Sequence, residues 1–241
     1  FATIPYLFFG LSPIDALFEG TSGITATGAT IFTHFDYPKT LFFWRSFTQW
    51  LGGMGIIVLF VAILPQFAVA GRQMFFAEVP GPTEDKFTPR IKNTASALWI
   101  IYAGLTVACF VALWLAGMSP FDAICNSFST LSAGGFSPHE RSIGGYGSNL
   151  INWIIIVFMF ISGTSFVLQS RVLTRRKLSL FWKSEEFKCF ASIILIMSLI
   201  VGAVLFVQQH YSFFHSLTAS LYQVLSLATS TVYSVPSTEA M

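Results

Sequence analysis

The chain has 241 residues, of which 54% are hydrophobic and 10% are charged, and its formal net charge is +2. A soluble domain usually carries about 25% charged residues, so a water-facing surface could not be covered with this supply. The mean hydropathy of +0.69 and the length of the apolar blocks exclude a soluble globular domain and predict an all-α polytopic membrane protein. We expect the lipid bilayer, and no nucleic acid, as a partner.

The residues that most often carry chemistry are few and scattered. Cys109, Cys125 and Cys189 have no CxxC spacing, so they predict neither a disulfide framework nor a zinc site. The four histidines lack an HxxxH or HxxE pair and are interpreted as interfacial or solvated groups. Because the sequence contains no nucleophile–base pair and no phosphate loop, we expect neither an enzyme nor an organic cofactor.

Four apolar segments are long enough to cross a bilayer as helices: 41–64, 95–115, 151–168 and 189–207. The chain begins at Phe1 without a charged n-region, so no signal peptide is expected. We expect both ends to lie inside a longer protein.

Two connecting loops, 66–93 and 170–188, hold ten of the thirteen Lys and Arg residues. Positive residues collect on the cytoplasmic side of a membrane. Both loops are therefore predicted to face the cytoplasm.

An internal duplication is the strongest pattern in the chain. Segments 12–30 and 119–137 match without a gap at an offset of 107 residues, with seven identical positions. A weaker third copy occupies 216–235. Each copy is too short and polar to span a bilayer and lies next to spanning segments, so the repeating unit is predicted to be helix, re-entrant pore loop, helix.

The first two copies begin with Ser-Pro-x-Asp, at Ser12 and Ser119. Serine is a good N-cap, proline fits the first helical position, and an early aspartate suits the helix dipole. A short pore helix is therefore predicted to run to about Gly23 or Thr130. Its C-terminal end carries partial negative charge, which favours a nearby cation.

Small residues, hydroxyls and a matched glycine follow each pore helix, over 25–30 and 132–137. Glycine reaches backbone angles that other residues avoid, which lets successive carbonyl oxygens face one axis. Rings of carbonyls can replace the hydration shell of a potassium ion. An ordinary pair of turns between helices is the alternative, and the pairing of the two loops favours the pore.

The chain resembles the Trk/Ktr/HKT superfamily of potassium transporters, and among them the bacterial Trk membrane subunit. The residues that carry the resemblance are FEGTSGITATGAT (18–30), WRSFTQWLGGMGIIVLFVAILP (44–65), EVPGPTEDKFTPRI (78–91) and FDAICNSFSTLSAGGFSPH (121–139). The family has four such repeats in one polypeptide. The resemblance implies that 1–65 ends the first repeat, 94–169 is the second and 189–241 begins the third.

The resemblance also implies the function and its residues. The filter that binds K⁺, the transported ion, would comprise Thr25, Ala26, Thr27, Gly28, Ser132, Ala133, Gly134, Gly135, Thr229, Ser230 and Thr231. A homodimer in the bacterial inner membrane, with a cytoplasmic nucleotide-binding regulatory subunit, is the implied assembly. A secondary transporter of another cation or solute is the alternative function, although such a transporter requires charged groups at the midplane, and the spans hold few.

Three residues leave alternatives open. Val232 stands where the family has glycine, so the third loop bends differently, its selectivity is relaxed, or the alignment there fails. Glu19 is interpreted as a buried structural hydrogen-bonding group, with attraction of cations as the alternative. Arg45 is predicted to snorkel to the interface rather than to pair with a carboxylate or act as a barrier.

Overall fold

The computed structural model describes residues 1–55, 87–209 and 212–233. Every regular element in these ranges is helical, and no strand occurs among them. The all-α class predicted from the composition is confirmed. The helices form three consecutive units, each built around one short helix with a serine cap.

The first unit contains two short helices and part of a longer one. Its elements are α1 (Ile4–Phe8), α2 (Pro13–Ile24) and α3, which is helical over 39–55, up to the edge of the described range. The second half of the predicted helix 41–64 and most of the predicted loop 66–93 lie outside the described residues.

The second unit runs from a long outer helix to a broken inner one. Its elements are α4 (Phe87–Leu115), α5 (Pro120–Leu131), a 3₁₀ turn (Ser142–Tyr146), α6 (Asn149–Ser162) and α7 (Phe166–Arg175). The third unit follows α8 (Ser179–Lys183) and comprises α9 (Glu185–Gln209) and α10 (Phe213–Ala228). The outer helices exceed the predicted 95–115 and 189–207 because hydropathy marks only their apolar part.

Two described helices are long and apolar enough to cross a membrane, over Ala95–Leu115 and Glu185–Val207. Helices α6 and α7 pass the same test only when they are taken together, and their axes are bent by 94° relative to each other. The prediction of one continuous helix over 151–168 is therefore wrong, because the helix breaks after Ser162.

Local hydrogen bonds bridge the break between α6 and α7. Gln169 Nε2 donates to the Ile161 carbonyl at 2.8 Å and to Thr164 Oγ1 at 2.7 Å, which ties α7 to the end of α6. Gly163 lies so close to Phe190 and Thr229 that a Cβ there would approach their side chains to within 2.8 and 2.9 Å. The chain turns where the third unit packs against it.

Close backbone approach at the glycines of α3 joins this helix to α2 and to the second unit. A Cβ at Gly52 would overlap the Ile24 carbonyl, and one at Gly53 would lie 2.9 Å from Ser132 Cβ. Trp50 Nε1 donates to Thr106 Oγ1 of α4 at 3.0 Å. Helix α3 is thereby held between the end of α2 and the second unit.

Candidate functional site: three adjacent loop segments

The short helices α2 and α5 begin as the sequence predicts. Ser12 Oγ accepts the Asp15 N–H at 3.2 Å and donates to the carboxylate at 2.7 Å. Ser119 and Asp122 repeat these contacts at 3.1 and 2.8 Å. The third helix, α10, starts from Ser212, one turn earlier than the copy at 216 predicts.

The segments that follow these helices share one backbone pattern. We name them the first (25–30), second (132–137) and third (229–233) loop segments. In each, two residues separated by one have positive φ: Ala26 (53°) and Gly28 (78°), Ala133 (56°) and Gly135 (79°), Ser230 (60°) and Val232 (47°). In an extended strand, successive residues alternate in direction. Left-handed conformations at every second residue break this alternation, so the carbonyls of the segment are reoriented.

The three segments lie side by side in chain order. A Cβ at Gly28 would overlap the carbonyl oxygen of Gly134, and a Cβ at Gly135 would overlap that of Thr231. Gly28 and Gly135 are therefore each required twice, by their φ and by the next segment's backbone. The second segment is covered on both flanks, whereas Thr27 and Val232 on the outer segments are exposed.

Hydroxyl groups fix the start of each segment. Thr25 Oγ1 donates to the Thr21 carbonyl at 2.7 Å, one turn back, and Ser132 and Thr229 do the same at 2.8 and 2.7 Å. The same three carbonyls also accept the backbone N–H groups of Thr25, Ser132 and Thr229, so the hydroxyl bonds reinforce the last turn of each helix.

Aromatic residues that follow the glycine position anchor the second and third segments on the preceding unit. Phe136 lies 3.8 Å from a Cβ placed at Gly23, in α2. The Tyr233 hydroxyl meets Thr130 Oγ1 at 3.0 Å and donates to the Asn126 carbonyl at 3.3 Å, in α5. Gly23 and Thr130 are matched positions of the duplication, so the two anchors are equivalent.

A buried ion pair supports the first segment. Arg45 Nη2 lies 3.2 Å from Glu19 Oε2, and both side chains are almost fully buried. The other carboxylate oxygen accepts the Thr30 hydroxyl at 2.6 Å and the Ile31 N–H at 2.7 Å. The guanidinium also lies over the Phe136 ring, 4.1 Å from its centre. The buried role of Glu19 is confirmed; the predicted snorkelling of Arg45 is wrong, because its charge is satisfied inside the protein.

The departure at Val232 does not shift the third segment out of alignment, since its two positive-φ positions match those of the others. One backbone hydrogen bond differs. In the first two segments, the N–H of the residue before the glycine position, Thr27 or Gly134, donates to the carbonyl of Ser22 or Ser129. In the third segment, the matched Ser226 carbonyl accepts the N–H of Val232 at 3.0 Å, one residue later.

Two contributors were not predicted from the sequence. Gln49 of α3 donates from Nε2 to the Gly134 carbonyl at 2.6 Å. Ser22 Oγ donates to the Ala29 carbonyl at 2.6 Å, as its counterpart Ser226 does to Tyr233 at 3.2 Å. The serines are visible in the duplication as matched residues; a lone glutamine in an apolar helix carries no such signal.

The fold and these segments define a multi-pass helical membrane protein with repeated helix–re-entrant loop–helix units. The family model described as a cation transport protein, TrkH, matches residues 5–241. The chain belongs to this TrkH family, and the resemblance drawn from the motifs is confirmed.

Named relatives agree with this assignment. The chain is 45% identical to the Trk system potassium uptake protein TrkH of Salmonella typhimurium, covering 97% of this chain and 50% of that protein. It is 39% identical to the potassium uptake protein TrkG of Escherichia coli, covering 94% and 48%. The crystal structure of the potassium transporter TrkH from Vibrio parahaemolyticus matches with a TM-score of 0.79 and 42% identity, covering 90% of this chain and 44% of that one. The chain thus spans about half the length of these relatives.

Proposed function

We propose that the full-length protein takes up K⁺ through a pore whose selectivity filter is lined by backbone carbonyls of the three loop segments. The ligands are the carbonyls of the residues around the positive-φ positions: Thr25, Ala26, Thr27 and Gly28; Ser132, Ala133, Gly134 and Gly135; Thr229, Ser230 and Thr231. Such oxygens replace the hydration shell of the ion.

The observation that carries the proposal is the recurrence of one backbone pattern in three adjacent segments. Ordinary connections between helices have no reason to repeat left-handed residues at matched positions, because each costs about 1–2 kcal/mol for a residue other than glycine. Ala26, Ala133 and Ser230 all bear this cost. Strain of this kind persists where a functional geometry requires it.

The helices that precede the segments add a favourable field for a cation. Helices α2, α5 and α10 all end at their loop segment, so their partially negative C-termini lie there. Hydroxyls at Thr25, Ser132 and Thr229 add oxygen dipoles. The relatives named potassium uptake proteins support K⁺ as the cation.

Cation flux into liposomes tests this function. The full-length protein is reconstituted, and the entry of K⁺, Rb⁺ and Na⁺ is compared. Fast K⁺ and Rb⁺ entry with slow Na⁺ entry is expected. Equal entry of all three, or uptake of another solute that is indifferent to K⁺, would contradict the proposal.

Two alanine variants separate the filter from general backbone strain. Gly28→Ala places a Cβ against the Gly134 carbonyl and is expected to lower the K⁺/Na⁺ flux ratio at least about tenfold. Gly117 has φ +97°, and no described residue lies within 4 Å of a Cβ placed there. Gly117→Ala therefore introduces the strain alone and should leave the ratio unchanged. Equal effects of the two variants would argue against a filter at Gly28.

The proposed setting is the bacterial inner membrane, as a homodimer that binds a cytoplasmic nucleotide-binding regulatory subunit. Its support is the family, together with the exposed basic stretch that contains Arg175, Arg176 and Lys177 at the predicted cytoplasmic face. Mass measurement of the detergent-solubilised protein, alone and with the candidate subunit, tests both associations. A monomer, or a failure of the two to co-elute, would contradict the corresponding association.

A further inference from the structure

Gln49 is a fully buried side chain of α3 that reaches from the first unit into the second. Its Nε2 donates to the Gly134 carbonyl at 2.6 Å, and its Oε1 accepts the Phe136 N–H at 3.2 Å. The two bonded groups lie on either side of Gly135. One amide therefore fixes both peptide planes that flank the left-handed residue of the second segment.

The position of Gln49 explains a difference between the copies of the repeat. The residue before the glycine position is threonine in the first and third segments but Gly134 in the second. A Cβ at Gly134 would overlap the amide carbon of Gln49 and lie 2.6 Å from Oε1. Gly134 has ordinary φ, so the space taken by Gln49 accounts for its lack of a side chain.

The first and third segments hold the same region with their own side chains. Thr25 and Thr27 share a hydroxyl–hydroxyl bond of 2.7 Å, and Thr229 and Thr231 share one of 2.8 Å. The second segment has Ser132 at the position of Thr25 and Thr229, but Gly134 has no hydroxyl to pair with it. The amide of Gln49 fills the space that a threonine side chain at 134 would take, and it bonds to the Gly134 carbonyl.

We propose that Gln49 is a positioning residue that holds the second loop segment in its left-handed geometry and thereby sets the cation selectivity of the pore. The inference rests on the proposed function. A buried amide that makes two bonds to one backbone restricts rotation of the peptide groups, and an unmet partner in a dry site is costly.

The test compares Gln49→Met with Gln169→Met in the full-length protein in liposomes. Methionine keeps the length of the side chain and removes both bonds. Gln169 is also buried and bonded to backbone, but its partners belong to the α6–α7 break. Gln49→Met is expected to lower the K⁺/Na⁺ flux ratio about fivefold, whereas Gln169→Met changes stability and leaves the ratio intact.

A second variant keeps the test informative where Gln49→Met does not fold. Gln49→Glu retains the volume and the acceptor for Phe136. Its ionised form loses the donor to the Gly134 carbonyl, so the flux of this variant is measured at alkaline pH. It is expected to lower the K⁺/Na⁺ ratio in the same direction. An unchanged ratio in a folded Gln49→Glu protein would overturn the role of the donor.

A double-mutant cycle tests whether a threonine hydroxyl at position 134 can replace the amide of Gln49. Gly134→Thr alone collides with Gln49 and is expected to lose selectivity. Adding Gln49→Ala removes the collision and lets Thr at position 134 pair with Ser132, as in the other segments. The double variant should therefore be more selective than Gly134→Thr, a non-additive result. Simple additivity would overturn the proposed exchange.

The outcomes separate the two levels of inference. A wild-type protein without K⁺ preference would overturn the proposed function. A K⁺-selective wild type whose ratio is unchanged in the Gln49 variants would overturn the role of Gln49 alone.

Discussion

The second and third loop segments solve the same backbone problem under different constraints. The second has Gly135 at its left-handed position, lies between two neighbours and is clamped by Gln49. The third has Val232 in a left-handed conformation, and its side chain is 59% exposed. No α6 side chain in the described residues donates to the third segment as Gln49 of α3 does to the second.

The difference shows that the left-handed turn at this position does not itself require glycine. Glycine becomes necessary where the next segment's carbonyl closes over the Cα, as at Gly28 and Gly135. At Val232 no described residue occupies that position, so a β-branched side chain fits at the cost of strain.

The largest effect is expected from making the second segment like the third. Gly135→Val places a branched side chain against the Thr231 carbonyl, in addition to the left-handed strain. The cost should exceed about 3 kcal/mol, since neither backbone can yield, and K⁺-selective flux should be lost. Flux into liposomes and thermal unfolding measure the two consequences.

The control for this change is Gly104→Val on α4. Within the part of the chain that the structure describes, nothing lies within 4 Å of a Cβ at Gly104, so the valine side chain meets no close neighbour there. Its flux should equal that of wild type. If Gly135→Val kept K⁺ selectivity, the close contact between the second and third segments would be refuted.

A smaller effect is expected from making the third segment like the second. Val232→Gly removes a left-handed valine, which gains about 1–2 kcal/mol, and loses part of this through greater freedom of the unfolded chain. The variant should be more stable by about 1 kcal/mol, and its K⁺/Na⁺ flux ratio should rise. A fall in both quantities would show that the Val232 side chain has a positive role.

The smallest effect is expected from the anchor of the third segment. Tyr233→Phe loses the bonds to Thr130 and Asn126 and should destabilise the protein by about 1 kcal/mol. Tyr222 is equally buried, but its hydroxyl has no hydrogen-bond partner among the described residues, so Tyr222→Phe should be neutral or stabilising. Equal shifts in melting temperature for Tyr233→Phe and Tyr222→Phe would contradict the stabilising role of the Tyr233 hydroxyl.

Features that depend on local sequence were predictable. The caps at Ser12 and Ser119, the short helices and the glycines that follow them are encoded within one repeat, and the duplication revealed them. The backbone pattern of the third segment also follows from its place in the repeat, despite Val232.

Features that depend on contacts between helices were not predictable. Gln49 and Arg45 are polar residues in a largely apolar helix, and only the fold supplies their partners. The bend after Ser162, where Gln169 bonds α7 to the end of α6, was not predicted because the apolar run continues through it. Gly134 was the one sequence feature that indicated the Gln49 contact, since the other two copies have threonine at this position.

The anchors of the segments have a direction along the chain. Phe136 lies against α2 and the guanidinium of Arg45, and Tyr233 bonds to α5. The second and third segments therefore dock on residues that the ribosome has already made. Domains commonly fold from the N-terminus during synthesis. Each later unit that enters the bilayer therefore meets a docking surface that is already present. The loop segments of the site assemble in the order in which they are translated.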